Sequence, residues 1–300
     1  MNPLNNLIIS TLQIFPKGLV KRFAMRYIAG EHIEDATRLV KELNSERMLA
    51  TIDVLGENVT TKEDAISSSQ AAIEVLRMIK NNKLNANLSI KLTQFGLNID
   101  KDFCFDNVLK VMETARNLNN FVRIDMEDSS VTTATLDIYE RFRAVGFENT
   151  GVVIQAYMRR SEEDIRRLID MDASVRLCKG IYIEPENIAF KGRVEIRRNY
   201  VKLLGMLIEG KCRVGIATHD DFLIRAAYDM LNQNHIERDG YEFQMLYGVR
   251  SDLRDKIVAD GHKLRVYVPF GKQWYAYSIR RFKENPQVAG YVFKSIMTGK

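Results

Sequence analysis

From position 48 onwards the chain alternates between short apolar runs and longer segments of helical period. Eight runs stand out: M-L-A-T-I-D-V-L-G (48–56), L-S-I-K-L-T-Q-F (88–95), F-V-R-I-D-M-E (121–127), V-V-I-Q-A-Y (152–157), S-V-R-L-C-K-G (174–180), V-G-I-A-T-H (214–219), E-F-Q-M-L-Y-G (242–248) and L-R-V-Y-V-P-F-G (264–271). Several are rich in valine, isoleucine and aromatic side chains, which suit strands. The segments between them carry helix-start signals. Thr60 or Thr61 offers an N-cap ahead of acids in the first turn. Ser161 and Asp164 have capping-box spacing, with Asp in place of Glu or Gln, and the segment at Ser251 opens the same way. Strand then helix, repeated eight times, predicts a parallel sheet of the α/β class, and eight units predict a closed (βα)8 barrel. Residues 1–47 read as an N-terminal helical segment and 48–300 as the barrel, with no Pro/Gly/Ser-rich linker between them.

A barrel of this kind carries its chemistry at the C-terminal ends of its strands. Polar residues inside apolar strands are costly to bury unless paired. The polar residues in the last turns of the predicted strands are Glu57, Lys91, Asp125, Gln155, Arg176, Lys179, Thr218, His219, Gln244 and Tyr267. Each alone reads as a satisfied core group. Together they converge on one mouth.

Composition narrows the chemistry. The chain has 300 residues, 46% of them apolar, which is enough for a sizeable core. Its net charge of +5 is weak grounds for a nucleic-acid partner, and no zinc spacing or RNA-binding aromatic motif accompanies it. The three cysteines, Cys104, Cys178 and Cys212, are odd in number and far apart. That suits a reducing compartment and neither a disulfide framework nor a metal site. No apolar run approaches the roughly 20 residues a membrane span needs. The first thirty residues hold Lys17, Lys21, Arg22 and Arg26 and no acid. They read as an amphipathic helix packing on the domain, with peripheral contact with an anionic membrane as the alternative.

Several chemistries lack their motifs. There is no Ser-His-Asp elbow, no H-E-x-x-H, no P-loop, and no G-x-G-x-x-G after a strand. The mouth is instead rich in cations: Lys91, Arg176, Lys179 and, on W-Y-A-Y-S-I-R-R (274–281), the adjacent Arg280 and Arg281. Such a set suits a phosphate, a carboxylate or a reduced flavin.

Nine short motifs occur in order: L-G-E (55–57), S-I-K-L (89–92), R-I-D-M-E-D-S (123–129), V-I-Q-A-Y (153–157), R-L-C-K-G-I-Y (176–182), A-T-H-D (217–220), F-Q-M-L-Y-G (243–248), Y-V-P-F-G (267–271) and Y-S-I-R-R (277–281). In these the chain resembles the proline dehydrogenase family, in its monofunctional bacterial form, from about 48 to 285. The resemblance implies a distorted (βα)8 barrel holding FAD, with its last helix over the mouth. It implies oxidation of L-proline to 1-pyrroline-5-carboxylate by hydride transfer to the flavin, and electrons passed to a membrane quinone. A separate pyrroline-carboxylate dehydrogenase would act next. The expected location is the cytoplasm, at the inner face of the membrane during reoxidation.

The same resemblance assigns residues. Arg280 and Arg281 would bind the proline carboxylate, as arginine's planar fork allows, and Tyr277 would close the pocket. Lys91 would lie near flavin and substrate, Asp125 would organise the site, and Tyr267 would pack on the proline ring. Glu57 would pair with an active-site arginine as a gate. Met126 would touch FAD through its backbone and Gln155 would hydrogen-bond the flavin. Arg176 would sit beside the flavin's redox-active nitrogen. Lys179, Gly180 and Ile181 would line the cofactor's chain, and Thr218 and His219 would bind its phosphate end. Cys178 and Ile181 stand where the family often has valine and alanine. Two other readings remain: a barrel lyase or aldolase using Lys91 or Lys179 as a Schiff base, and a non-catalytic flavin- or membrane-binding barrel. A flavoenzyme for a related cyclic amino acid is the nearest alternative.

Overall fold

The structure is a computed structural model that describes residues 21, 24–56, 59–275 and 277. Eight strands close into a barrel in sequence order: β1 (Leu49–Val54), β2 (Ala86–Ile90), β3 (Val122–Ile124), β4 (Thr150–Gln155), β5 (Ser174–Cys178), β6 (Arg213–Ala217), β7 (Tyr241–Leu246) and β8 (Leu264–Phe270). Every pairing is parallel, including that of β8 with β1. Helix α1 (Ile33–Ser45) precedes the barrel. The crossovers carry α2 (Lys62–Asn81), α3 (Lys101–Asn117), α4 (Ser129–Ala144), α5 (Ser161–Ile169), α6 (Arg193–Glu209), α7 (Asp221–Gln233) and α8 (Ser251–Ala259).

The register explains why the strands hold. Ile52 pairs with Leu88 and Val268, Leu88 with Val122, Val152 with Val175, Leu177 with Ile216, and Ile216 with Phe243. All of these are buried. They form the outer face of the barrel, against which the helices pack. In α1 the buried residues Ala36, Leu39, Val40 and Leu43 recur at three and four positions, a single apolar stripe laid on β1 and β8.

Most of the alternate positions are polar. Asp53 pairs in register with Ser89, Ser89 with Arg123, Arg176 with Gly215, and Gly215 with Glu242. Barrels of this class are usually filled by branched aliphatic side chains. Here the interior is a hydrogen-bonded polar column. Arg123 donates to the carbonyls of Ser174 at 2.6 Å and Val152 at 3.1 Å. Gly151 makes room for it, since an added Cβ would collide with the guanidinium. Thr51 Oγ1 donates to Asn87 Oδ1 at 2.5 Å. Arg265 grips Glu242 with Nε at 2.6 Å and Nη2 at 3.0 Å.

Some local expectations are corrected. The run 88–95 is not one strand: β2 stops at Ile90 and Leu92–Phe95 is a 3-10 turn, ended by Gly96 at φ 98°. Glu127 fixes that turn by accepting from the Thr93 backbone N–H at 3.1 Å and its hydroxyl at 2.5 Å. Thr61 caps α2, accepting from the Asp64 N–H at 3.1 Å. Ser161 does not cap α5. Its hydroxyl donates to the Gln155 carbonyl at 2.6 Å, while Arg160 takes the N-cap position and holds Asp164 at 2.8 and 2.9 Å. Arg250, at φ 48°, likewise precedes α8 in place of Ser251.

Candidate active site

Lys91, Asp125, Met126, Gln155, Arg176, Lys179, Gly180, Ile181, Thr218, His219, Gln244, Tyr267 and Tyr277 all line one cavity of about 730 Å3 at the C-terminal mouth of the barrel. Glu57, Arg280 and Arg281 lie outside the described residues, as does nearly all of the segment expected to form the last helix.

The barrel end of the cavity is organised around Asp125, just past β3. Its Oδ1 accepts from the Ser89 hydroxyl at 2.6 Å and from Arg176 Nη1 at 2.6 Å. Its Oδ2 accepts from the Tyr267 hydroxyl at 2.7 Å. Lys91 Nζ lies 3.8 Å from the same oxygen, donates to the Tyr267 hydroxyl at 3.2 Å, and pairs with Asp53 at 2.7 Å. Two cations and two carboxylates therefore share one nearly dry cluster. Burial pushes the Asp125 carboxyl up, but Arg176 and Lys91 outweigh it and leave the group below the usual carboxylate range. Asp53 goes the other way. Burial, joined by the Asp125 charge, holds it above the usual range although Lys91 pulls it down. Burial and the neighbouring carboxylates Asp125 and Asp53 push the Tyr267 phenol well up, so it stays neutral and donates. Lys91 and Arg176 lie 5.9 and 5.3 Å from the centre of the Tyr267 ring, within cation–π range.

The outer end is organised around Asp220, which caps α7 by accepting from the Phe222 N–H at 3.1 Å. Arg197 clamps it with Nε at 2.9 Å and Nη2 at 2.6 Å, and Lys179 Nζ lies at 3.2 Å. Burial would raise this carboxyl, yet Arg197 and Lys179 bring it down to about 2. His219 Nε2 accepts from the Leu246 N–H at 2.9 Å, so the ring proton of the neutral form sits on Nδ1. Thr218 Oγ1 accepts from the Asp220 N–H at 3.2 Å. Gln155 spends its NH2 on the Glu127 carbonyl at 2.8 Å. Gly180 adopts φ 101° and abuts the Tyr157 ring, where a Cβ would collide. Gly180 itself lines the cavity, with the Tyr157 ring filling the place its side chain would take.

The lining includes the cations Lys91, Arg176, Lys179, Arg193, Arg197, Arg225 and Arg250 against the carboxylates Asp125, Asp220 and Asp221. That excess suits an anionic, phosphate-bearing ligand. Among the described residues, no cluster of His, Cys, Asp or Glu could hold a metal ion, and no helix is long and apolar enough to cross a membrane.

Sequence reasoning missed Asp53, Ser89, Asp220, Arg193 and Arg197. Asp53 carried the same signal as Asp125, a lone acid in an apolar strand. The sequence pattern points to Glu57 as the polar end of the first strand, whereas β1 ends at Val54, one residue past Asp53.

Known proteins resemble the chain over most of its length. The family model for proline dehydrogenase matches residues 36–293. Proline dehydrogenase 2 of Bacillus subtilis (strain 168) is 36% identical over 273 residues, covering 91% of this chain and 90% of that protein. Proline dehydrogenase of Deinococcus radiodurans is 32% identical over 283 residues, covering 92% and 90%. The crystal structure of proline utilization A from Bdellovibrio bacteriovorus, inactivated by N-propargylglycine, superposes with a TM-score of 0.83 at 25% identity. The match covers 88% of this chain but only 33% of that longer one. The chain belongs to the proline dehydrogenase family of oxidoreductases.

Proposed function

We propose that the chain is an FAD-dependent proline dehydrogenase that oxidises L-proline to 1-pyrroline-5-carboxylate and passes the electrons to a membrane quinone. The observation that carries this reading is the buried cluster at the mouth, where Lys91, Arg176 and Tyr267 surround Asp125. FAD fits the donor set on two counts. The cation excess of the cavity suits its pyrophosphate, and the Gly180 backbone itself lines the cavity. Met126, Gln155 and Arg176 would hold the flavin ring. Lys179, Gly180, Ile181, Thr218 and His219 would hold the chain and phosphates. FAD, when bound, supplies the two-electron acceptor.

The chain's own residues supply binding, orientation and charge. Arg280 and Arg281 take the proline carboxylate, with Tyr277 closing the pocket and Glu57 gating it. Tyr267 packs its ring on the proline ring, its hydroxyl held by Asp125. The amine binds as the free base, because a protonated nitrogen has no lone pair to assist loss of hydride from the adjacent carbon. Asp125 fixes the Arg176 guanidinium through Nη1, so a positive charge faces the place where negative charge develops. Residues 48–300 act as the catalytic unit behind the helical segment 1–47. A cytoplasmic location, with peripheral contact at the inner face of the membrane, follows from the quinone acceptor. A separate pyrroline-carboxylate dehydrogenase takes the product.

The Schiff-base reading is weaker. A nucleophilic lysine must be an uncharged amine, and Lys91 is ion-paired to Asp53 at 2.7 Å. The test is product identity. Purified protein is supplied with FAD, L-proline and a quinone analogue, and o-aminobenzaldehyde is used to trap the product. A pyrroline adduct formed in step with quinone reduction is expected. No adduct, or reductive trapping of a substrate on Lys91 by borohydride, would overturn the proposal.

A further inference from the structure

We infer that Gln244, oriented by Glu242 and admitted by the missing side chain of Gly215, is a positioning residue that fixes Arg176 without neutralising it. The inference rests on the proposed flavin reading only in what Arg176 then does.

The argument begins with the register. Arg176 on β5 pairs with Gly215 on β6, and Gly215 pairs with Glu242 on β7. Strand β6 therefore separates Arg176 from the side chains of β7. A side chain at position 215 would fill the space between them. Because it is glycine, Gln244 reaches across, and its Oε1 accepts from Arg176 Nε at 2.5 Å. A Cβ on Gly215 would lie 2.5 Å from Gln244 Nε2. This glycine has an ordinary backbone conformation, so its role is space rather than φ.

The amide can face only one way. Its Nε2 donates to Glu242 Oε1 at 2.6 Å. Reversed, an amide oxygen would face the carboxylate and an NH2 would face the guanidinium, losing both bonds. Glu242 is itself held by two bonds from Arg265, whose Nη1 anchors on the Ala50 carbonyl at 2.8 Å. Burial would raise the Glu242 carboxyl, but Arg265 keeps it below its usual range and charged. The order of command thus runs from Arg265 to Glu242, to Gln244, to Arg176 and finally to Asp125.

The choice of residue type matters. A carboxylate at 244 would give Arg176 a second negative neighbour beside Asp125. A neutral carbonyl oxygen aligns Nε while leaving the guanidinium's charge for the cavity. Groups behind a reacting side chain commonly control its function to this degree when they fix its orientation.

The test uses Gln244→Met, which removes the acceptor at similar volume, Glu242→Gln, which keeps Gln244 but removes its orienter, and the double variant. Thermal melting selects the variants that fold, and Gly215→Ala serves as a further route if one does not. Two quantities are read on FAD-loaded protein: the midpoint potential of the bound flavin and the split of proline kinetics into kcat and KM. We expect each single variant to move the potential negative and to lower kcat by about tenfold with KM little changed. The double variant should be no worse than Gln244→Met, because Glu242 acts through Gln244. Unchanged potential and kcat in folded variants, or additive losses in the double variant, would overturn the inference. Wild-type protein that binds no FAD, or whose FAD is not reduced by proline, would instead overturn the functional reading.

Discussion

Asp125→Asn is the sharpest probe of the cluster at the mouth. The substitution keeps the shape and removes one charge. In the native cluster the carboxylate accepts from Ser89, Arg176 and Tyr267 at 2.6–2.7 Å, with the Lys91 ammonium 3.8 Å away. An asparagine can accept on one side only. If its oxygen keeps Ser89 and Arg176, its NH2 must face the Tyr267 hydroxyl. That oxygen already accepts from Lys91, and its own proton then loses its acceptor. The larger effect is charge, since two buried cations are left facing the single carboxylate of Asp53. Removing one partner of a buried ion pair costs about 3–5 kcal/mol, and each charge-assisted bond contributes about 1.5–3 kcal/mol within that total. The apoprotein should therefore lose about 3–5 kcal/mol in urea unfolding at neutral pH, with an unchanged m-value. Tyr267→Phe removes one donor and should couple to Asp125→Asn by about 1–3 kcal/mol in a double-mutant cycle. An Asn variant within about 0.5 kcal/mol of wild type, the range of a bland surface change, would refute the reasoning. Strictly additive losses would refute the shared hydrogen bond.

Two further outcomes follow from other parts of the cavity. Asp220 titrates at about 2 in the folded protein against an ordinary 3.8, so folding favours its ionised form. Its stabilisation is fully present above the ordinary value and is lost as pH falls through the folded one. The gap in stability between wild type and Asp220→Asn should be constant above pH 5 or so and should close towards about pH 2 in acid titrations; a gap independent of pH would contradict the ion-pair account. Gly180→Ala forces a Cβ against the Tyr157 ring at φ 101°. It should destabilise the protein by about 1–3 kcal/mol and weaken FAD binding measured by flavin fluorescence, and unchanged values of both would show that this backbone position is not under constraint.

Much of this molecule was legible in its sequence, for a reason that differs between fold and site. The barrel showed through because each strand has one predominantly apolar face, so eight runs separated by helical segments admit few topologies. The location of the site showed through because Lys91, Asp125, Gln155 and Arg176 are polar residues at strand ends, where burial is costly without partners. What did not show through is pairing. Arg176 meets Gln244 across 68 residues and across an intervening strand, and only the absence of a side chain at Gly215 permits it. Local hydrogen-bond competition hid other details. Ser161 looked like a cap but is claimed by the Gln155 carbonyl, and the turn at Leu92–Phe95 looked like strand until Glu127 is seen to hold Thr93. The Arg280–Arg281 pair, expected to hold the substrate carboxylate, lies outside the described residues.

The central claim is that the mouth of the barrel brings proline to a flavin. The direct measurement is anaerobic mixing of the purified protein with L-proline while the visible flavin absorbance is recorded. Bleaching by L-proline, slowed greatly in Arg281→Met, is the result the account predicts. A yellow protein that keeps its colour with proline would contradict the substrate, and a colourless protein that takes up no FAD would contradict the account as a whole.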